Sequence, residues 1–481
     1  MKLRLFNLII TVILLSSCAQ VQPLSLIDQT GTAEPLNSTI TPIATRPVYN
    51  PGELVDYIAQ TGDTLEALAV HFNTTIKEIR ENNPNIPDDA TTMPSGMPMK
   101  IPIYYLPLWG TSYQIIPDNL FINGPSSVDF DTQEFISAQP GWLKNYQGFA
   151  AEQTRSAAEI IDLVARNFSV SPQMMLVFVE YLAHGLTDAN QPESEYILGY
   201  QDFDHGGLYL QLVWAANLLN NGYYGWRSGH IKIFEHPNGE LERPDPWQNA
   251  ATVAIQAFFL DLPIEEYQHV IGPDGIARVF YELFGDPWLL SNPHIPVSLQ
   301  QPYFTLPFPS GESWTYTGGP HSGWGTLEPF AAVDFAPPLV EGGCTPTGLW
   351  ATAMADGVIA RSEPGIVVLD LDGDGDERTG WNIFYLHVGT EGRISEGVNV
   401  KQGDPIGHPS CEGGEATGTH IHIARKYNGE WIPASGTLAF NLEGWIAHDG
   451  SRKYLGTLTR GTDTIIASDT SNLASRITAG Q

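Results

Sequence analysis

The stretch Gly418–Ile423, GTHIHI, constrains this chain more than any other. Apolar residues alternating with histidines have a period of two, the signature of a strand. His420 and His422 then share one face while Ile421 and Ile423 enter a core on the other. Two imidazoles side by side can share a metal or a substrate, and a merely hydrogen-bonded strand pair is the competing reading. The choice depends on what the rest of the chain brings to that face.

At 481 residues, 42% of them apolar, the chain is long enough for two to four domains with real cores. A net charge of -31 leaves no basic surface for phosphates and excludes a nucleic-acid partner. The opening MKLRLFNLIITVILLSSCAQ places Lys2 and Arg4 before a short apolar run and small residues, the pattern of a secretory signal over residues 1–17. Its LSSC ending resembles a bacterial lipobox, which implies lipidation of Cys18 and an extracytoplasmic protein anchored to the bacterial cell membrane. In an oxidising compartment Cys344 and Cys411 are expected to form a disulfide, with free thiols and metal ligation as alternatives.

Residues 18–53 are rich in Thr, Pro and small polar residues and read as a flexible tether. Residues 54–104 carry the order strand, helix, helix, strand. Asp63 with Glu66 signals one helix start, and Leu65, Leu68, Ala69 and Phe72 line its apolar face. Thr75 with Glu78 signals a second helix carrying Ile76 and Ile79, and strands are expected at Tyr57–Ala59 and Met99–Ile103. With the phrases QTGDTLEALAVHF, IRENNPNIP and PSGMPMKIPI, this stretch resembles the LysM module. The resemblance implies binding of N-acetylglucosamine-containing glycan in a groove between the first strand-helix loop and the loop after the second helix. Carried over, Gly62, Asp63 and Thr64 face Pro84, Asn85 and Ile86. Capping and turning the chain is the competing role for the same residues.

Residues 105–300 read as mainly helical and of unknown role, a spacer or a partner-binding domain. Ser171-Pro172 starts one helix, GLYLQLVWAANLLNNG is expected to stop at Gly222, and NAATVAIQAFFLDL and GIARVFYELFG supply two more. Glu180 and His184 invite comparison with the acid of a lysozyme-like glycosidase, but no second carboxylate accompanies them.

From 301 to 465, short strands separated by Gly, Pro and Asp predict an antiparallel β domain, followed by a tail over 466–481. The fold class is α+β multidomain. In chain order, His321 and Asp334 lie in GGPHSGWGTLEPFAAVDFAPP, the turn DGVI follows, His387 lies in GWNIFYLHV, and the turn GDPIG precedes GTHIHI. These segments, in this order over roughly 305–435, resemble peptidase family M23, the lysostaphin-like cell-wall endopeptidases. The resemblance implies one zinc ion held by His321, Asp334 and His422, with a fourth position left for water or substrate. It also implies that His420 and His387 are the general-base and transition-state-stabilising pair. His321 and Asp334 stand thirteen positions apart, a spacing similar to the beta-lytic branch, where a loop is inserted. Ala424 and Arg425 depart from the commoner ending with glutamate.

Tyr385, two residues before His387, is expected on the same face, with a packing role favoured. LDLDGDGDERTGW begins like a calcium loop at Asp370, Asp372, Asp374 and Gly375, but Trp381 stands where a closing glutamate belongs, so an acidic hairpin tip is expected. His184, His205 and His408 have no assignable partners in the sequence. The expected function is cleavage of peptide crosslinks in peptidoglycan, targeted by LysM. The rivals are a catalytically silent activator of another murein hydrolase and a glycan-binding structural lipoprotein.

Overall fold

Capping and alternation set the elements seen in the computed structural model, which describes residues 46–339, 342–470 and 472–481. The signal segment, Cys18 and most of the expected tether lie outside them. No helix among the described residues is long and apolar enough to cross a membrane.

In the LysM region the order is β1 (Glu53–Ile58), α1 (Leu65–His71), α2 (Ile76–Asn82) and β2 (Pro98–Ile103). β1 and β2 pair antiparallel with Tyr57 opposite Met99, and Leu68, Phe72 and Ile79 are fully buried between them and the helices. Thr75 and Glu78 form the reciprocal capping box at α2. At α1 the cap is Thr64, whose hydroxyl accepts from the Ala67 amide, and not Asp63. The Asp63 carboxylate instead accepts from Tyr57 Oη and the Gln60 amide, both at 2.7 Å, and closes the turn ahead of the helix.

The helical region is built on α3 (Ala157–Phe168), α4 (Pro172–Ala183), α5 (Leu208–Arg227), α6 (Ala250–Phe258) and α7 (Ile276–Phe284). Ser171 caps α4 with Pro172 in its first turn. α5 does not stop at Gly222 but runs on to Arg227. A Cβ at Gly222 would sit 2.6 Å from Ala254 Cα, so this glycine lets α5 and α6 meet backbone to backbone. Glu180 accepts from the Leu186 amide at 2.8 Å and from Thr187 Oγ1 at 2.5 Å; its carboxylate closes the loop after α4, which removes it as a glycosidase acid.

The C-terminal region centres on a nine-stranded antiparallel sheet. Its strands are β3 (Ser313–His321), β4 (Ala332–Ala336), β5 (Gly357–Glu363), β6 (Gly365–Asp370), β7 (Trp381–Val388), β8 (Asn399–Val400), β9 (Ile421–Tyr427), β10 (Glu430–Trp431) and β11 (Arg476–Thr478). The spatial order is β8-β5-β6-β7-β9-β4-β3-β11, with β10 paired to β9. Residues 466–481 therefore include an edge strand: Ile477 lies opposite Trp314, and its apolar side chain is buried in the sheet's own core. A smaller four-stranded sheet spans Asn441 to Ile466.

One face of the large sheet buries Val333, Phe335, Ile383, Tyr385, Ile421 and Ile423 in that core. The opposite face presents Phe384, Leu386, Ala424 and Trp431, which join the core of the helical region. The face that carries the histidines thus abuts helices. Polar ties reinforce the contact. Arg227, at the end of α5, lies 3.2 Å from Asp118 and 3.2 Å from Glu430, and also donates to the Thr61 carbonyl of the LysM region.

Candidate metal centre

The strand register brings three of the expected residues together. Asp334 on β4 stands directly opposite His422 on β9, and β3 delivers His321 through a register shift beyond Gly318. His321 Nε2, His422 Nδ1 and an Asp334 carboxylate oxygen all lie within 4.8 Å of one another. The two ring nitrogens are 3.0 Å apart, and each is 3.2 Å from Asp334 Oδ1. All three residues are buried. A Cβ at Gly318 would lie 2.4 Å from Asp334 Oδ2, so only glycine leaves room for the carboxylate on the neighbouring strand.

The remaining ring nitrogens fix the tautomers. His321 Nδ1 donates to the Gly319 carbonyl at 2.8 Å and His422 Nε2 to the Gly323 carbonyl at 3.1 Å. The nitrogens that converge are therefore bare lone pairs, as outer carbonyl partners impose on metal-binding histidines. They meet at Asp334 Oδ1, a buried oxygen with no hydrogen-bond partner of its own. Three acceptors facing one another need a cation between them, and two nitrogens with one carboxylate suit zinc. Burial opposes the Asp334 charge, but the His321 and His420 rings outweigh it and hold the carboxyl well below its usual range. His422 is held below the ordinary histidine value, chiefly by burial.

His420 and His387 stand beside this group, their ring centroids 4.4 Å apart. His420 Nδ1 donates to the Gly418 carbonyl at 2.7 Å, leaving Nε2 directed at Asp334, 3.8 Å away. His387 Nδ1 donates to the Glu412 carbonyl at 2.9 Å. Burial first, then the neighbouring His420 and His422 rings, push His387 down to about 3, so it is neutral near pH 7 with Nε2 bare.

His387 reaches this position by breaking strand alternation. Leu386 pairs with Ile366 and Val388 with Gly365, so His387 is the extra residue of a bulge, at φ 64°. Tyr385 for that reason does not share its face: it points into the opposite core and accepts from the Met354 amide at 2.8 Å. Cys344 and Cys411 are disulfide-bonded. The bond ties together two rim segments, since the Thr419 amide donates to Gly343 O and the Ser410 amide to His387 O.

Tyr454 was not legible in any motif, yet its ring stacks on His321 with centroids 4.2 Å apart. It arrives from a loop between strands of the small sheet, joined to Gly319 by an isolated bridge, and no local pattern marks it. The insertion between His321 and Asp334 leans on the helical region: the Thr326 amide donates to Asn217 Oδ1 at 2.9 Å, and Trp324 packs edge-on against Phe168 and Phe384. Arg425, in place of the commoner residue type after the histidine pair, is buried behind the site and bonded to Gln301, Pro433 O and Leu438 O.

The other expected residues divide. Asp370, Asp372 and Asp374 cluster, but the buried Asp370 carboxylate is committed to the amides of Asp372, Gly373 and Gly375, as an acidic turn requires, and Trp381 lies on β7. In the LysM region Pro84 and Asn85 are exposed while Ile86 is buried in the module's core. Gly62 lies under the Arg227 guanidinium, and Asp63 and Thr64 are engaged as described above. His205 pairs with Asp202 at 3.4 Å and His408 Nδ1 bonds Leu349 O at 2.8 Å; both are structural contacts.

Comparison with known proteins gives the region-level assignment. Residues 57–102 match the LysM domain family, and residues 114–298 match the family described as LasA, N-terminal domain. The chain thus joins a LysM domain to a LasA-type N-terminal domain, which is the helical region of unknown role. Beta-lytic metalloendopeptidase of Achromobacter lyticus is 30% identical over 143 residues, covering 27% of this chain and 35% of that protein, so the chain spans about a third of that relative. Protease LasA of Pseudomonas aeruginosa is 22% identical over 339 residues, 66% of this chain and 75% of that protein. Among solved structures, the M23 metalloprotease pseudoalterin from the deep sea aligns with TM-score 0.28 and 23% identity, over 35% of this chain and 96% of that one. The catalytic domain of lysostaphin from Staphylococcus simulans aligns with TM-score 0.19 and 23% identity, over 26% of this chain and 89% of that one.

Proposed function

We propose that this protein is a zinc metalloendopeptidase of the M23 type that hydrolyses peptide crosslinks of bacterial peptidoglycan, with its LysM domain gripping the glycan. The observation that carries the reading is the convergence of His321 Nε2, Asp334 Oδ1 and His422 Nδ1, three unprotonated donors whose outer atoms are fixed by backbone carbonyls and a neighbouring strand. His321, Asp334 and His422 would hold the zinc. When bound, zinc supplies Lewis acidity at a scissile carbonyl. His387, neutral and bare at Nε2, takes the proton of the attacking water, and His420, once it is also protonated at Nε2, donates to the developing oxyanion or the departing amine. Attachment through the glycan raises the local concentration of stem peptides, so a weak sugar grip suffices. Lipidation at Cys18 would keep the enzyme at the membrane beneath the wall.

The test uses purified protein and purified sacculi. His422→Ala and Asp334→Ala should lose both zinc and lysis, whereas His420→Ala and His387→Ala should keep zinc and lose about 100- to 10,000-fold in turnover. Lysis retained by the first pair would remove the site assignment.

A further inference from the structure

We infer that the segment from His294 to Leu299 is a strap that closes the LysM groove, so that glycan and strap exclude each other. The inference rests on the reading that the LysM domain binds glycan, and it concerns the regulation of that same site.

The groove lies between the β1–α1 loop and the loop after α2, and the strap runs from one to the other. On the first loop the Ile295 amide donates to Thr61 Oγ1 at 3.1 Å. On the second, Thr92 Oγ1 donates to the Pro296 carbonyl at 2.7 Å and accepts from the Leu299 amide at 3.0 Å. The Ser298 amide donates to Thr92 O at 2.9 Å, and Thr91 Oγ1 donates to the Leu299 carbonyl at 2.6 Å. The strap therefore offers the module only peptide groups. An N-acetylglucosamine unit carries the same pair, one amide N–H and one carbonyl in its acetamido group. The loop hydroxyls that would meet acetamido groups are already satisfied by the strap's main chain.

The strap's side chains face elsewhere. Ile295 and Leu299 are buried against Trp381 and Ile432 of the sheet region, the Asn428 amide group donates to His294 O at 2.6 Å, and His294 Nε2 bonds Glu430 at 2.6 Å. Ser298 is held at φ 47°, a left-handed conformation that serine adopts only when its surroundings enforce it. The strap is thus anchored on the sheet region and laid across the LysM loops, and its residence in the groove is set by contacts that glycan does not share.

Coupling between two occupants of one groove is reciprocal. The experiment is calorimetric titration of the full chain with N-acetylglucosamine hexasaccharide, together with amide exchange at residues 295–299. Ile295→Ala/Leu299→Ala, which loosens the strap without touching the LysM loops, should bind the hexasaccharide about tenfold more tightly than the parent, and the sugar should speed exchange of the Ile295, Ser298 and Leu299 amides in the parent. Should the double variant not fold, Asn428→Ala supplies the same comparison. Equal binding by parent and variant with unchanged strap exchange would overturn the strap while leaving the glycan reading intact. No binding by a variant whose strap amides exchange freely would overturn the glycan reading and the strap with it.

Discussion

At the scale of single residues, the site depends on small tolerances. Gly318→Ala would drive a methyl into the Asp334 carboxylate, whose Oδ2 lies 2.4 Å from that position. The expected outcome is a loss of about 10- to 100-fold in zinc affinity with the fold retained, read by chelator competition and circular dichroism. The histidine pair His420 and His422 was legible because alternation in GTHIHI leaves no other face for them. His321 and Asp334 were legible only through their likeness to a family pattern, since the twelve intervening residues carry no periodicity that would join them. The position of Tyr385 was not legible, because the bulge at His387 inverts the parity that places residues two apart on one face.

At the scale of elements, local signals served well where a helix or strand closes on itself and poorly where its partner lies far along the chain. The capping box at Thr75 needs only four residues, and it forms. Gly222 looked like a stop because glycine usually ends helices, yet its role is set by α6, a partner some thirty residues away in sequence. The same holds for β11, whose pairing with β3 joins the ends of the C-terminal region. The disulfide spans 67 positions and holds the rim segments on which His387 and His420 rest. Cys344→Ser/Cys411→Ser is expected to cost about 2–5 kcal/mol of stability, measured by denaturant unfolding, and to lower activity while zinc content is unchanged.

At the scale of the whole molecule, Arg227 is the point where the three regions meet. Its guanidinium is packed between Asp118 and Glu430, and Arg227→Met would remove the cation these two buried carboxylates share, leaving Asp118 with the Asn249 and Ala251 donors and Glu430 with His294 and Tyr223. The expected cost is about 3–5 kcal/mol, read as a lower unfolding temperature. Nothing in the sequence around Arg227 announces this, since its partners are separated from it by more than a hundred residues in each direction. Glu430 gives the contact a pH dependence. Burial raises its pKa, but Arg227 and His294 outweigh burial and hold it below the ordinary value of 4.5. An acid depressed on folding stabilises the fold above the unfolded value and loses that contribution as pH falls through the folded one. The unfolding temperature should therefore drop below about pH 4.5, and Glu430→Gln should flatten that drop.

The proposed hydrolysis of cell-wall peptides rests on the convergence of His321, Asp334 and His422. Mass spectrometry of fragments released from purified peptidoglycan by the full protein tests it most directly, with and without a zinc chelator. New amino termini in the stem or bridge peptides, absent under chelator and restored by added zinc, are expected. Zinc-loaded protein that releases only sugar-chain ends, or nothing, would contradict it.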